Sequence, residues 1–600
     1  MRARALLLAV AVLLAPGAYA KEPAPSKALA DFFERQFELR LKENPESATL
    51  LGIEGYDDKL TDYSPAAVAR RKSLVKQAIA ELARFDPGKL NTQDRISRDN
   101  MLFDLRLVEQ ENAFYGALPF GSTGDGWLPV SSMHGPQQFF AYLARATPLR
   151  NTRDYDNYLK RLDGLPVVLA QMTAQMRAGL ASGWVPPRAA MERVPAMFGG
   201  FAGADVTATP LWKPFESFPE PVPAAERKRI EEQGRAVLSS KVHPAFAAMK
   251  KFLEEEYVPR GAASLAAGDL PAGKAFYALR VREQTTTTMT PEEIHAIGLK
   301  EVARIRGEMD RIIAASGYKG TFAEFIEFLR TDPRFYFKKP EDRLMAYRDI
   351  AKRADAELPK LFAELPRQPY GIRAMEAYEG DNSDHYSPGA LDGSRAGFFE
   401  ANVNNLEKRP SHEMESTLLH EAVPGHHLQN ARALELKDLP KFRRSGWYVA
   451  YGEGWALYAE SLGYDMGFYK DPYQAFGRLM GEMLRACRLV IDTGIHSMGW
   501  QREQSIKYLA ENSGFHPDYA AAEVDRYIVW PGQALGYKVG ELKIKALRDK
   551  ARAALGERFD LRRFHNVILD DGALPLTVLE SRVDEWIAAT RAKPLPRAAG

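Results

Sequence analysis

The chain is 600 residues long, 45% hydrophobic and 27% charged, ordinary values for a globular protein with room for more than one core. Its 81 basic and 79 acidic side chains leave a net charge of +2, so the charge balance gives no reason to expect nucleic acid or an acidic membrane surface as partner. One cysteine, Cys487, excludes an intramolecular disulfide framework and leaves the hydrophobic core to hold the fold.

The first element reads as an export signal. Arg2 and Arg4 precede the apolar run "ALLLAVAVLLA", residues 5–15, which is too short to cross a bilayer, and Ala18-Tyr19-Ala20 fits the small-residue pattern of a cleavage site. Residues 1–20 are therefore expected to be a signal peptide, and the mature protein to be periplasmic or secreted. No cysteine near the cleavage point offers a site for a lipid, and no later segment is apolar enough to span, so no stable membrane anchor is expected after cleavage.

Most of the mature chain reads as helix. "ALADFFERQFELRLKENP" and "AVARRKSLVKQAIAELARF" place apolar residues three and four apart. Residues 116–220 are rich in Gly and Pro with recurring Trp and Phe, which predicts long ordered loops rather than linkers. A second Gly-rich break, residues 261–273, divides the chain into an N-terminal helical half, 21–275, and a C-terminal half, 276–600, with a soft boundary. "TPEE" and "TFAE" are capping boxes begun by Thr290 and Thr321. The best strand is "GFFEANVNN", where Phe399, Ala401 and Val403 alternate with polar residues. There is no P-loop, no dinucleotide fingerprint and no fixed repeat. The expected class is mainly α, with a small β element.

The chemistry concentrates around "LLHEAVPGHHLQ", residues 418–429, near which lie five of the eleven histidines: His385, His412, His420, His426 and His427. His420-Glu421 begins as zinc-peptidase helices begin, but the position four residues after His420, where a second ligand belongs, is Pro424. On a regular helix, residues four apart differ by about 40° and lie about 6 Å apart along the axis, so they can share an ion. On an unbroken helix His426 would stand about 240° round from His420 and His427 about 10.5 Å away, and neither would reach the metal. Pro424 has no N–H for the carbonyl of His420 and clashes with it, while Gly425 tolerates backbone angles that other residues resist. The pair predicts a bulge after Glu421. A bulge absorbing two residues brings His426 into the second ligand position; one absorbing three brings His427. The Gly-His ending favours His426, with His427 as the competing ligand, a residue that supports a ligand, or a substrate contact.

A third ligand is expected from Glu453, in "YGEGWALYAE", between Gly452 and Gly454. Two glycines inside a helix cost about 1 kcal/mol each against alanine, which predicts a neighbouring helix packed very close. Glu460, seven residues on and on nearly the same face, is the candidate to support a ligand. A lone His-Glu pair or a lone helical glutamate would carry little. Their combination with the proline-glycine interruption predicts Zn2+ held by His420, His426 and Glu453; iron suits the same donors less well.

At these residues the chain resembles the bacterial family catalogued as domain of unknown function 885, through "LLHEAVPGHHLQ", "GEGWALYAE" and "RYIVWPGQALGYKVG". The resemblance implies a large helical zincin-like fold with a deep active-site cleft and a peptidase-like activity. "EGWALY" is also similar to the metal-binding glutamate segment of zinc aminopeptidases.

Three zinc ligands leave a position for water and lower its pKa to about 7, and Glu421 is the expected general base. Resemblance to helical zinc dipeptidases suggests His496 and Tyr527, then Tyr537, as oxyanion donors. The strand before the metal helix is expected to be an edge that binds extended substrate, with side-chain contacts from Asn402 and Asn404, and Arg395 is expected to bind a substrate carboxylate. The function expected is an exported zinc metallopeptidase acting on short peptides. The alternatives are a zinc amidase acting on a non-peptide or cell-wall amide, and an inactive zincin that binds peptides or a partner; Glu421 argues against the last.

Overall fold

The computed structural model describes residues 23–121, 126–376 and 382–592; the expected signal peptide lies outside them. The elements that position the site are, in chain order, α1 (Pro291–Ala315), α2 (Pro340–Leu361), β1 (Tyr370–Ala374), β2 (His385–Ser387), β3 (Gly397–Ala401), α3 (Met414–Glu421), α4 (His426–Glu435), α5 (Val449–Leu462), α6 (Pro472–Met498), α7 (Pro517–Val529) and α8 (Gly536–Leu555). The protein is mainly helical, with one three-stranded sheet among the described residues.

Local chemistry sets the helix ends. Thr290 and Glu293 form the reciprocal cap that starts α1, and Thr321 and Glu324 do the same for Phe322–Thr331. Asp471 caps α6 with Pro472 in its first turn, and Gly499 ends it in the left-handed region at φ 74°.

The described part of residues 116–220 is more regular than its glycines and prolines suggest, because it contains the 31-residue helix Thr152–Ser182. Tyr155, Tyr158, Leu162, Leu165, Leu169, Met172 and Met176 are buried along one stripe of it, and that burial outweighs the lost backbone bond at Pro166. These residues join a core whose buried members run from Val130 to Tyr257, with Leu50, Leu60 and Tyr63 packed against it. Two other cores mix early and late residues. The one around Trp455 includes Ile96 and Tyr277, and the one around α6 includes Tyr115, Trp127 and Trp184.

At the centre stands α5, buried on nearly all sides. Within it only Val449, Glu453 and Ser461 are not fully buried. It crosses α8 at two glycines: a Cβ on Gly454 would lie 2.4 Å from the Cα of Gly540, and one on Gly540 would lie 1.8 Å from the carbonyl oxygen of Ala450. The close helix contact predicted from Gly454 is present. Gly452 serves a different purpose, since its missing Cβ leaves room for the Trp447 ring, at 2.1 Å.

The sheet order is β1-β3-β2, with β1 parallel and β2 antiparallel to β3. Strand β3, expected to be an edge, is therefore the middle strand, paired on both sides and closed to strand addition. The short β2 is an edge instead. Among the described residues no helix is long and apolar enough to cross a membrane.

Candidate metal centre

The interruption after Glu421 is a break, not a bulge within one helix. α3 ends at Glu421, Ala422 to Gly425 form a turn, and α4 begins at His426. The amide N–H groups of His427 and Leu428 both donate to the carbonyl of Ala422, and the Trp455 indole donates to that of Pro424 at 2.8 Å, fixing the turn against α5. Gly425 is required here: a Cβ would lie 1.9 Å from the His420 carbonyl oxygen.

The turn brings His420 and His426 together, with ring centroids 4.8 Å apart and planes nearly perpendicular at 89°. Glu453 completes the group. Its Oε2 lies 3.4 Å from Nε2 of His420 and 3.3 Å from Nε2 of His426. Ligands at 2.0–2.1 Å from a tetrahedral ion are separated by about 3.4 Å, so these spacings match the edges of a zinc coordination sphere. Glu421 stands beside them, Oε1 4.0 Å from Nε2 of His420. His420, Glu421 and His426 also offer ligand atoms within 4.8 Å of one another. The shorter and more even distances favour Glu453 as third ligand, leaving Glu421 as the adjacent carboxylate. The donor chemistry, two imidazoles and a carboxylate, fits zinc.

The surroundings support the same ion. Nδ1 of His420 donates to Oε1 of Glu460 at 2.8 Å, which fixes the tautomer and turns the Nε2 lone pair toward Glu453. Three carboxylates, Glu421, Glu453 and Glu460, surround two imidazoles. Burial disfavours charge on His420, but Glu453, Glu460 and Glu421 outweigh it and raise its pKa to about 10. Burial likewise opposes ionisation of Glu453, yet the two imidazoles hold its carboxyl well below the usual range. The centre is built for a positive charge. Glu421 is oriented by the sheet, its Oε2 accepting the N–H of Tyr386 at 2.9 Å, so the unpaired edge of β2 faces the centre.

His427 is turned away. Its Nδ1 meets the Tyr386 hydroxyl at 3.1 Å and its Nε2 the Gln368 carbonyl at 3.1 Å, while Tyr370 packs on its ring. Both nitrogens are used and the ring is buried, so it is neither the ligand nor the substrate contact expected; it ties the sheet to α4. Asn402, also fully buried, donates through its N–H to Asp384 and through its side chain to the Asn382 carbonyl, and accepts from the Asn404 N–H. Asn404 reaches the Glu376 carbonyl at 3.5 Å. Both asparagines bind the chain around β3, Asn402 fully buried and Asn404 half-buried. Arg395 pins its own loop to the carbonyls of Pro388 and Leu50.

His496 accepts the Ala267 N–H at Nδ1 and donates from Nε2 to the Tyr527 carbonyl, leaving no ring nitrogen for an oxyanion. Burial lowers its pKa to about 4. The Tyr527 hydroxyl donates to Glu523 and accepts from Arg488. Tyr537 differs: its oxygen accepts from Arg526 at 2.9 Å and from Gln533 at 3.4 Å, and its hydroxyl hydrogen has no protein acceptor among the described residues.

Trp447, 45% exposed, is a site residue that no sequence motif marked, yet its ring packs on His426 at 5.6 Å. Its signal was the crowding of aromatics before Gly452.

A family model described as "Bacterial protein of unknown function (DUF885)" matches residues 45–583. No curated protein matches the chain. Among solved structures, a candidate lipoprotein from Colwellia psychrerythraea is 29% identical with a TM-score of 0.88, the match covering 94% of this chain and 99% of that one. A candidate lipoprotein of unknown function from Shewanella oneidensis is 17% identical with a TM-score of 0.65, over 93% and 99%. A candidate oligoendopeptidase F from Bacillus anthracis reaches a TM-score of only 0.25 at 11% identity, over 87% of this chain and 96% of that one, and bears on neither fold nor function.

Proposed function

We propose that this chain, which belongs to the bacterial DUF885 family of proteins of unknown function, is an exported zinc-dependent metallopeptidase that hydrolyses short peptides. The observation that carries the reading is the position of Glu453 Oε2, 3.4 and 3.3 Å from the two imidazole nitrogens, with Glu421 alongside. His420, His426 and Glu453 would hold the zinc, and a zinc ion there supplies a Lewis acid that polarises a carbonyl and acidifies water.

The chain's own groups support the remaining chemistry. Glu421 takes the proton of the attacking water at its free oxygen, the other being held by the Tyr386 N–H, and returns it to the leaving amine. Glu460 keeps His420 in one tautomer. The unpaired edge of β2 offers backbone groups to an extended peptide, a role expected of β3 from its sequence. Tyr537, with its uncommitted hydroxyl hydrogen, is the best placed of the three suggested donors for developing negative charge. Export is supported by the leader-like residues 1–20 and by the lipoprotein descriptions of both relatives.

Zinc analysis of the purified protein, followed by digestion of a peptide library read by mass spectrometry, tests the proposal. One zinc per chain and defined cleavage products are expected. A metal-free protein that cannot be loaded, or a loaded one that leaves every peptide intact, would overturn it.

A further inference from the structure

A cluster of guanidinium groups from α6 and α7 gathers around Tyr537 of α8. Arg485, Arg488 and Arg526 surround the Tyr537 ring at 5.8, 4.4 and 5.8 Å from its centroid. Their hydrogen-bonding capacity is only partly used. Arg488 donates to Glu523 and Tyr527, and Arg526 donates to Tyr537, Gln533 and Glu523. Among the described residues, Arg485 donates only to the carbonyl of Gly481 on its own helix. Nε of Arg485, Nη1 of Arg488 and Nε of Arg526 are buried without a partner among those residues.

Three carboxyl groups stand near these three cations: Glu523, Glu413 and Glu460. Glu523 is paired with Arg488 and Arg526. Burial raises the Glu413 carboxyl pKa to about 7 against the pull of Arg343, Arg485 and Arg409. A buried cation without a full counter-charge is costly, and a guanidinium fork with free N–H groups is the side chain best matched to a carboxylate.

Arg485 lies near Glu460, the carboxylate that supports His420. One point beside Gly481, where a Cβ would sit, lies 3.3 Å from Nη1 of Arg485 and 3.7 Å from Oε2 of Glu460, the residue bonded to His420. Arg485 thus stands beside the carboxylate that orients His420, and the subsite proposed below places the end of a peptide against it, one or two residues of about 3.5 Å each beyond the scissile carbonyl.

We propose that Arg485, Arg488 and Arg526 form an anion subsite that takes the C-terminal carboxylate of a short peptide, so that the protein trims its substrates from that end. The inference rests on the peptidase reading for its substrate class, and deepens it.

The test uses the zinc-loaded full chain carrying Glu421→Gln and three matched peptides: a free acid, its C-terminal amide, and the amide with an aspartate near its end. Binding is measured by calorimetry. The free acid is expected to bind at least about 10-fold more tightly than the amide, as a charge-assisted hydrogen bond allows. The aspartate is expected not to restore the loss. Arg485→Gln in the same background should abolish the preference and Arg485→Lys should keep part of it, while both retain wild-type circular dichroism. Equal binding of acid and amide, which needs no arginine variant to observe, would overturn the subsite. Full recovery by the aspartate peptide would overturn its assignment to the C-terminus. The two proposals fail separately. If wild-type protein cuts acid and amide equally, the peptidase stands and the subsite falls. If it cuts neither while the Glu421→Gln protein still prefers the acid, the subsite stands and the peptidase falls.

Discussion

Glu460 accepts the Nδ1–H of His420 at 2.8 Å, forty residues away in sequence and one helix away in space. The bond commits Nδ1, leaves Nε2 as the nitrogen available to a bound metal, and stops the ring from turning. Carboxylate partners of this kind change metal affinity by about 10–100-fold when removed. Glu460→Gln should therefore bind zinc more weakly by that factor while retaining the fold. Competition with a zinc chelator measures it, and unchanged affinity would show that Glu460 does not govern the ligand.

Glu421 and Glu453 lie side by side but should respond differently to substitution. Glu421→Gln is expected to keep zinc and lose about 10²–10⁴ in rate, because the amide cannot accept the water's proton. Glu453→Ala removes the oxygen that lies between the two imidazoles and should lose the metal itself. Zinc content and turnover, measured on both variants, separate base from ligand. A fully active Glu421→Gln would remove the general-base assignment.

His426 and His427 are adjacent, and the turn before them points them in opposite directions. His426→Ala should abolish zinc binding. His427→Ala should retain zinc, and weaken the packing of Tyr370 and Tyr386 against α4 enough to lower the melting temperature. Zinc retained by His426→Ala and lost by His427→Ala would reverse the assignment.

The donor set could be read from the sequence because it depends on local chemistry. Pro424 and Gly425 cannot continue a helix, and Gly454 beside Glu453 announces a close helix crossing. The form of the interruption could not be read, since a bulge and a four-residue break differ only in tertiary support, here the Trp455–Pro424 bond. The strand pairing that put β3 in the middle of its sheet is non-local, and short strands give little register signal. Polar residues near a metal motif invite the reading of Asn402, Asn404 and Arg395 as substrate contacts; in the structure their side chains reach the carbonyls of Asn382, Glu376, Pro388 and Leu50, pairings that no local pattern announces. The arginine cluster did leave a trace. Arg478, Glu482, Arg485, Arg488, Asp492 and His496 recur every three or four residues on the otherwise apolar α6, a polar seam inside a buried helix.

The α5–α8 crossing predicts an effect on both stability and metal. Gly540→Ala would place a methyl group 1.8 Å from the Ala450 carbonyl oxygen and 2.7 Å from the Gly454 Cα, and backbone cannot yield there. The helices must separate, at a cost of at least about 1–3 kcal/mol. Ala450 is one turn from Glu453, so zinc affinity should fall with stability. Gly307→Ala on α1, which has nothing within 4 Å, is the control and should be neutral or stabilising. Equal melting temperatures for the two variants would contradict the crossing.

Acid should act on the arginine cluster through Glu523. Burial works against its ionisation, but Arg488 and Arg526, with the Tyr527 hydroxyl, hold its pKa down at about 2. A carboxyl whose folded pKa lies below its unfolded value of about 4.3 stabilises the fold at higher pH. That contribution, on the order of 3 kcal/mol, is complete above the unfolded pKa and is lost as pH falls toward 2. Glu523→Gln also leaves two buried guanidiniums without their counter-charge, so it should be clearly destabilised at pH 7. The gap between wild type and variant should narrow steadily from about pH 4.5 to pH 2 as the wild-type carboxylate is neutralised. Urea unfolding midpoints of both proteins across that range provide the measurement. A gap that stays constant with pH would mean that Glu523 does not carry the charge the arginines require.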